Sequence, residues 1–266
     1  MTACRILGIV NITEDSFSDG GRFLDPDRAI AHAMSLVADG ADAIDLGAAA
    51  SNPKAVRVAP EIEQRRLAPV IAHLKRHGIP VSVDSFEPAT QCWALGLGVE
   101  FVNDTRGFPD SSVYPRLAVS RSRLVVMHAV QTSGKADRTL GDAATIYDRV
   151  VAFFSTRLAA LEAAGIARER CILDPGMGLF LGGTGPSVVV LRRLADLRRR
   201  FALPVLVSVS RKSLLRDLTG RAVNARGPGT LAAELFAARQ GVEWIRTHDV
   251  RALRDALAVA RALGEG

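Results

Sequence analysis

Short β-rich runs alternate with longer helical patterns along the whole chain, and neither a repeat motif nor a linker rich in Pro, Gly or Ser interrupts them. Alternation of that kind is the sequence form of parallel βα units, since a parallel neighbour is reached only through a crossover that is usually a helix. Strands are expected near residues 6–12, 43–47, 80–86, 100–105, 123–128, 171–176, 204–210 and 243–248. Between them lie amphipathic segments such as "DRAIAHAMSLVADG", in which Ala29, Ile30, Ala33, Met34 and Val37 share a face and Gly40 can end the helix in a left-handed conformation. The segment "DVRALRDALAVARALG" completes an eighth unit. Eight strand and helix pairs favour an α/β TIM (β/α)8 barrel over an open doubly wound sheet, and a single domain spanning residues 1–266 suits that fold.

Composition narrows the functional classes. With 48% hydrophobic and 23% charged residues the chain can bury a sizeable core, which argues against disorder. The start, "MTACRILGIVNIT", has one Arg, no small-residue cleavage signal and only a short apolar run, so a soluble cytoplasmic protein with no membrane partner is expected. Cys4, Cys92 and Cys171 are far apart and lack C-x-x-C spacing, which leaves them as reduced thiols rather than zinc ligands or disulfides. The net charge of +6 comes mainly from Arg. Its densest stretch, "LRRLADLRRRF", spaces leucines for a helix with arginines between them and carries no interleaved aromatics, so a solvated helix face is expected rather than a nucleic-acid site.

In a TIM barrel the chemistry gathers at the C-terminal ends of the strands, where the βα loops are. Those ends carry Asn11, Asp45, Asp84, Asn103 with Asp104, His128, Asp174, Arg211 with Lys212, and Arg246 with His248. Singly, such an Asp is a helix N-cap and such an Asn a turn former. Acid, amide and cation at the same point of every unit point instead to a shared pocket. Asp84, Asn103 and Asp174 suit the donor-rich edge of a planar nitrogenous ligand. Lys212, Arg211, Arg246 and His248 suit phosphate or carboxylate oxygens. No pair of His has metal-binding spacing, so a tightly held transition metal is not expected; Mg²⁺ held partly by Asn11 and by substrate phosphates stays open.

Seven segments in order, "GIVNITEDSFSDGG", "SVDSF", "FVNDTRGF", "VVMH", "ILDPGMG", "SVSRKS" and "RTHDV", resemble the signature segments of the dihydropteroate synthases, a TIM-barrel family of the folate pathway. The resemblance implies condensation of 6-hydroxymethyl-7,8-dihydropterin diphosphate with 4-aminobenzoate, giving dihydropteroate and diphosphate. It implies that Asp84, Asn103, Asp174 and Lys212 hold the pterin, with Asp84, Asp174, Lys212 and Arg246 as the catalytic set. It further implies that Asn11, Arg246 and His248 hold diphosphate, that Asn11 also meets Mg²⁺, and that Ser213 docks the aminobenzoate carboxylate. The loop "TEDSFSDGGRF", with Phe17, would close over the site, and the enzyme would be a homodimer.

Two segments depart from the family pattern. "GAAASNPKA", residues 47–55, stands where "GESTRPG" is usual and puts Asn52 in place of an Arg, leaving Ser51 and Asn52 as weak site candidates. "DPGMGLFLGGTGPS" is longer than the usual "DPGFGFGK" and adds Phe180. Both features resemble the mobile, sulfonamide-insensitive branch of the family. Pterin-binding methyltransferases that use methyltetrahydrofolate, built on the same barrel, and a non-catalytic pterin- or RNA-binding protein remain alternatives; the first lacks a reason for "SRKS" and "RTH" together, and the second leaves the strand-end set without a chemical role.

Overall fold

Near-continuous apolar runs, the mark of strands covered on both faces, form all eight expected strands. The computed structural model describes residues 4–13, 24–49, 58–130 and 141–264. Its strands are β1 (Arg5–Asn11), β2 (Ala43–Gly47), β3 (Val81–Asp84), β4 (Phe101–Asp104), β5 (Arg123–Met127), β6 (Cys171–Asp174), β7 (Leu206–Val207) and β8 (Trp244–Thr247). They lie in the order β6-β5-β4-β3-β2-β1-β8-β7. Every neighbouring pair is parallel. A parallel bridge between Leu173 and Val205 joins the two outer strands and makes the sheet a nearly closed barrel.

The helices form the outer layer: α1 (Pro26–Ala38), α2 (Pro60–Arg76), α3 (Pro88–Gly96), α4 (Tyr114–Val119), α5 (Ile146–Ala163), α6 (Thr184–Arg192), α7 (Leu194–Phe201), α8 (Ser213–Thr219), α9 (Gly227–Arg239) and α10 (Val250–Ala262). Several begin with proline in the first turn, where the missing N–H is not needed. Asp25 caps α1 by accepting from Asp27 N at 2.9 Å. Asp249 caps α10 from Ala252 N at 3.1 Å, a contribution of about 1 kcal/mol. The main core lies between strands and helices, where Leu67, Val70, Ile71 and Leu74 of α2 are buried. A smaller cluster of Leu7, Phe101, Val125, Ile172, Leu206 and Trp244 fills the barrel interior near the strand starts. Among the described residues no helix is long and apolar enough to cross a membrane.

The seventh strand is shorter than its sequence suggests. Expected over 204–210, β7 keeps only Leu206–Val207 in the ladder. Pro204 has no N–H to donate. Past Val207 the chain leaves the ladder for the rim, where Lys212 N bonds Val209 O at 3.2 Å.

Candidate active site

Arg246 reaches from β8 past β1 to two acidic strands. Its Nε donates to Asp45 Oδ2 on β2 at 2.5 Å and its Nη2 to Asp84 Oδ2 on β3 at 3.0 Å. Burial works against the guanidinium charge, yet Asp45 and Asp84 outweigh it and push its affinity for the proton up. Burial pushes the Asp84 carboxyl up to about 7, with Arg246 pulling it back and Asp45 adding to the rise. Asn11, at the end of β1, and Asp84 flank Gly47: a Cβ there would lie 3.6 Å from Asn11 Oδ1 and 3.9 Å from Asp84 Oδ2.

The opposite wall is built by β6 and the turn after β7. Asp174 is buried and accepts from Gly176 N at 2.8 Å. Burial raises its pKa, opposed chiefly by Lys212. Arg211 adopts a left-handed backbone, φ 59°, which costs a non-glycine residue roughly 1–2 kcal/mol. Thr230 Oγ1 holds its N–H at 3.2 Å and Arg226 Nη1 its carbonyl at 2.7 Å. That kink ends the strand and starts α8 at once. Lys212 Nζ lies 3.5 Å from Met177 O and 5.0 Å from the centre of the Phe180 ring. Burial brings Lys212 down to about 8, against the pull of Asp174. Two glycines with positive φ let the Asp174 loop approach: a Cβ on Gly176 would strike His128 O, and one on Gly178 would meet Ser213 Oγ at 3.4 Å.

His248 is fixed by Ser210, whose Oγ accepts from His248 N at 3.3 Å and lies 2.9 Å from Nδ1. Ser210 thereby occupies Nδ1 and fixes the plane of the ring. Burial, then Arg211 and Arg246, bring His248 down to about 3, so the ring is neutral. Asn103, beside Asp84 in the β3–β4 register, has its buried Oδ1 without a hydrogen-bond partner among the described residues. Its neighbour Asp104 is a structural group: its carboxylate accepts from Arg106 N, Gln91 Nε2 and Phe108 N. His128 is likewise turned to structure, with Nδ1 3.2 Å from Pro175 O and its ring edge-on to Phe153.

The structure therefore brings Asp84, Asn103, Asp174, Lys212, Arg246, His248 and Asn11 to one rim, with Ser213 and Phe180 beside Lys212 through the Gly178 turn. Phe17, Ser51 and Asn52 lie outside the described residues. Asp45 and Ser210 gain roles that the sequence did not assign. A carboxylate in the otherwise apolar "AIDLG" was the available signal for the first; nothing local marked the second.

A profile of the family described as pterin binding enzyme matches residues 7–248. Dihydropteroate synthase type-2 of Escherichia coli is 59% identical over 261 residues, covering 98% of this chain and 96% of that protein. Among solved structures, the dihydropteroate synthase of Yersinia pestis with a sulfonamide drug superposes with a TM-score of 0.88 at 31% identity, covering 99% of this chain and 95% of that one. The dihydropteroate synthase of Xanthomonas albilineans with 4-aminobenzoic acid gives 0.86 at 36% identity, covering 98% and 93%.

Proposed function

The chain belongs to the pterin binding enzyme family, and from that premise we propose that it condenses 6-hydroxymethyl-7,8-dihydropterin diphosphate with 4-aminobenzoate, as a dihydropteroate synthase. The observation that carries this reading is the buried Oδ1 of Asn103, without a partner among the described residues, on the same rim as the carboxylates of Asp84 and Asp174 and as Lys212, Arg246 and His248. An unmet buried acceptor costs about 1–3 kcal/mol, which an amino or ring N–H of a bound pterin recovers.

In this reading Asp84, Asn103 and Asp174 accept from the pterin N–H groups, and Lys212 lies against the same ring. Arg246 and His248 hold the diphosphate oxygens. The methylene C–O bond breaks with its electron pair leaving on diphosphate, and the ionised Asp174 steadies the cation that remains. The amine of 4-aminobenzoate then forms the C–N bond and releases a proton. Ser213 receives the aminobenzoate carboxylate, and the loop bearing Phe17 keeps water from the cation.

Mg²⁺ fits this rim only as a partner of the substrate. Among the described residues no three His, Cys, Asp or Glu side chains are placed to hold a metal ion, whereas Asn11 offers a single amide oxygen at the diphosphate side. Mg²⁺ takes few protein ligands and keeps water and phosphate oxygens, so Asn11 would suffice. When bound it supplies charge neutralisation to the leaving group.

The same proposal makes the enzyme a cytoplasmic homodimer with a weakened response to sulfonamides. Exposed Leu218, Phe236, Val259 and Leu263 on and after α8–α10 support a partner surface, and Phe180 supports the drug response. The decisive assay is diphosphate release from the pterin diphosphate. Release that requires 4-aminobenzoate and yields dihydropteroate is expected, and its absence with a folded protein overturns the assignment.

A further inference from the structure

The strand starts, at the end of the barrel opposite the catalytic rim, line an open cavity of about 760 Å³. That size lies within the usual range for small-molecule sites, roughly 300–1,000 Å³. Its lining is basic. Arg5 enters from β1 and Arg123 from β5, four strands away in the eight-stranded order and so across the barrel mouth, with Arg121 just before β5. Of the two acids in the lining, Asp42 is already committed: its Oδ2 accepts from Ile6 N at 2.7 Å and Arg254 Nη2 at 2.8 Å. Among the described residues the side chains of Arg121, Arg123 and Glu100 form no ion pair, and Arg5 makes only a contact with the Trp244 ring at 5.4 Å. Three guanidiniums thus face one uncommitted carboxylate.

The floor is aromatic: Phe101 and Trp244, edge to face at 5.2 Å, belong to the lower interior cluster of the barrel. Guanidiniums present forked donors matched to phosphate oxygens, while a free carboxylate accepts from an amino-bearing heterocycle. We propose that this lower cavity binds a nucleoside di- or triphosphate, its phosphates held by Arg5, Arg121 and Arg123 and its amino-substituted base by Glu100 over the Phe101–Trp244 floor. Nothing in the proposed synthase reaction uses this end of the barrel, so the site is independent of that activity.

The chain has two tryptophans, and Trp93→Phe leaves Trp244 as the sole reporter inside the lower cavity. Titrating that protein with ATP is expected to change Trp244 emission saturably, with a Kd of about 0.1 mM or tighter. The paired change Arg121→Ala and Arg123→Ala, at exposed positions, should weaken binding about tenfold or more. Lys212→Ala, at the other end of the barrel, should leave it intact. No saturable response overturns the proposal, as does a response that Lys212→Ala abolishes and the paired arginine variant retains. Inorganic diphosphate acting as strongly as ATP overturns the nucleotide assignment and leaves Glu100 and the aromatic floor without their role.

Discussion

The Nε of Arg246 lies 2.5 Å from Oδ2 of Asp45, a carboxylate fully buried on the inner wall of β2. The contact to Asp84 is longer, at 3.0 Å. Asp45 is thus the fixed partner of the guanidinium, and Asp84 can be shared with a ligand. Asp45→Asn keeps the shape and removes the counter-charge. It should lower kcat/KM by about 10²-fold, the scale of losing one well-aimed donor to a developing anion. Affinity for a pterin without diphosphate should stay at the parent value by calorimetry. A matching loss of pterin affinity would put Asp45 in the pterin pocket rather than behind Arg246.

The pH profile follows from Asp84 and Lys212. Asp84 must be ionised to accept from a pterin N–H, and burial puts its pKa at about 7. Lys212 must be charged to favour an anion, and burial puts it at about 8. For the free enzyme kcat/KM should therefore climb as pH rises through about 7 and decline beyond about 8, reporting the pair jointly. Lys212→Arg should carry the alkaline limb to higher pH. A flat parent profile between these limbs and well outside them contradicts the assignment.

Glu234 on α9 gives a stability prediction distant from the chemistry. It is buried, and burial raises its carboxyl to about 8, with a hydrogen bond to Thr247 opposing the shift. A raised folded pKa means that the group's stabilising term is whole below the unfolded value of 4.5 and is lost as pH climbs toward 8. Glu234→Gln removes that loss. The variant and parent should melt alike at the acid end of this window, and the variant should melt several degrees higher at its alkaline end. Equal melting temperatures at both ends would show that Glu234 ionises freely in the fold.

The fold was legible because burial on both faces leaves apolar runs that local pattern can register: seven strands fall within the expected spans and β1 begins one residue before its own. The rim was legible as residue types at strand ends. What stayed hidden was pairing. Arg246 and Asp45 are 201 residues apart in sequence, and Ser210 and His248 are 38 apart, so nothing local could join them. The truncation of β7 was hidden for a related reason: "PVLVSVS" has strand composition throughout, and the loss of its last residues from the ladder depends on the turn at Arg211 and its holds from Thr230 and Arg226. Local propensity cannot see a tertiary clamp.

Phe180 is the residue on which a response to sulfonamides should turn. It lies in the short helical turn Gly178–Leu181, where its carbonyl accepts from Val130 N at 2.9 Å and its ring stands 5.0 Å from Lys212 Nζ. It is only half-buried, so packing alone does not account for its place beside Lys212 and, across Gly178, Ser213. Aminobenzoate ends in a flat carboxylate, whereas a sulfonamide puts a tetrahedral sulfur and a further substituent at that end. A ring beyond the carboxylate position conflicts with the drug and not with the substrate, and about 1.4 kcal/mol of conflict is a tenfold change in affinity. Phe180→Ala should therefore lower the ratio of sulfonamide Ki to aminobenzoate KM by tenfold or more. Because the ring also touches Lys212, the pterin KM must be followed in the same variant: a ratio that moves while the pterin KM holds marks a gate. If the parent is inhibited as readily as its aminobenzoate KM suggests, or the ratio is unmoved by Phe180→Ala, the ring serves Lys212 alone.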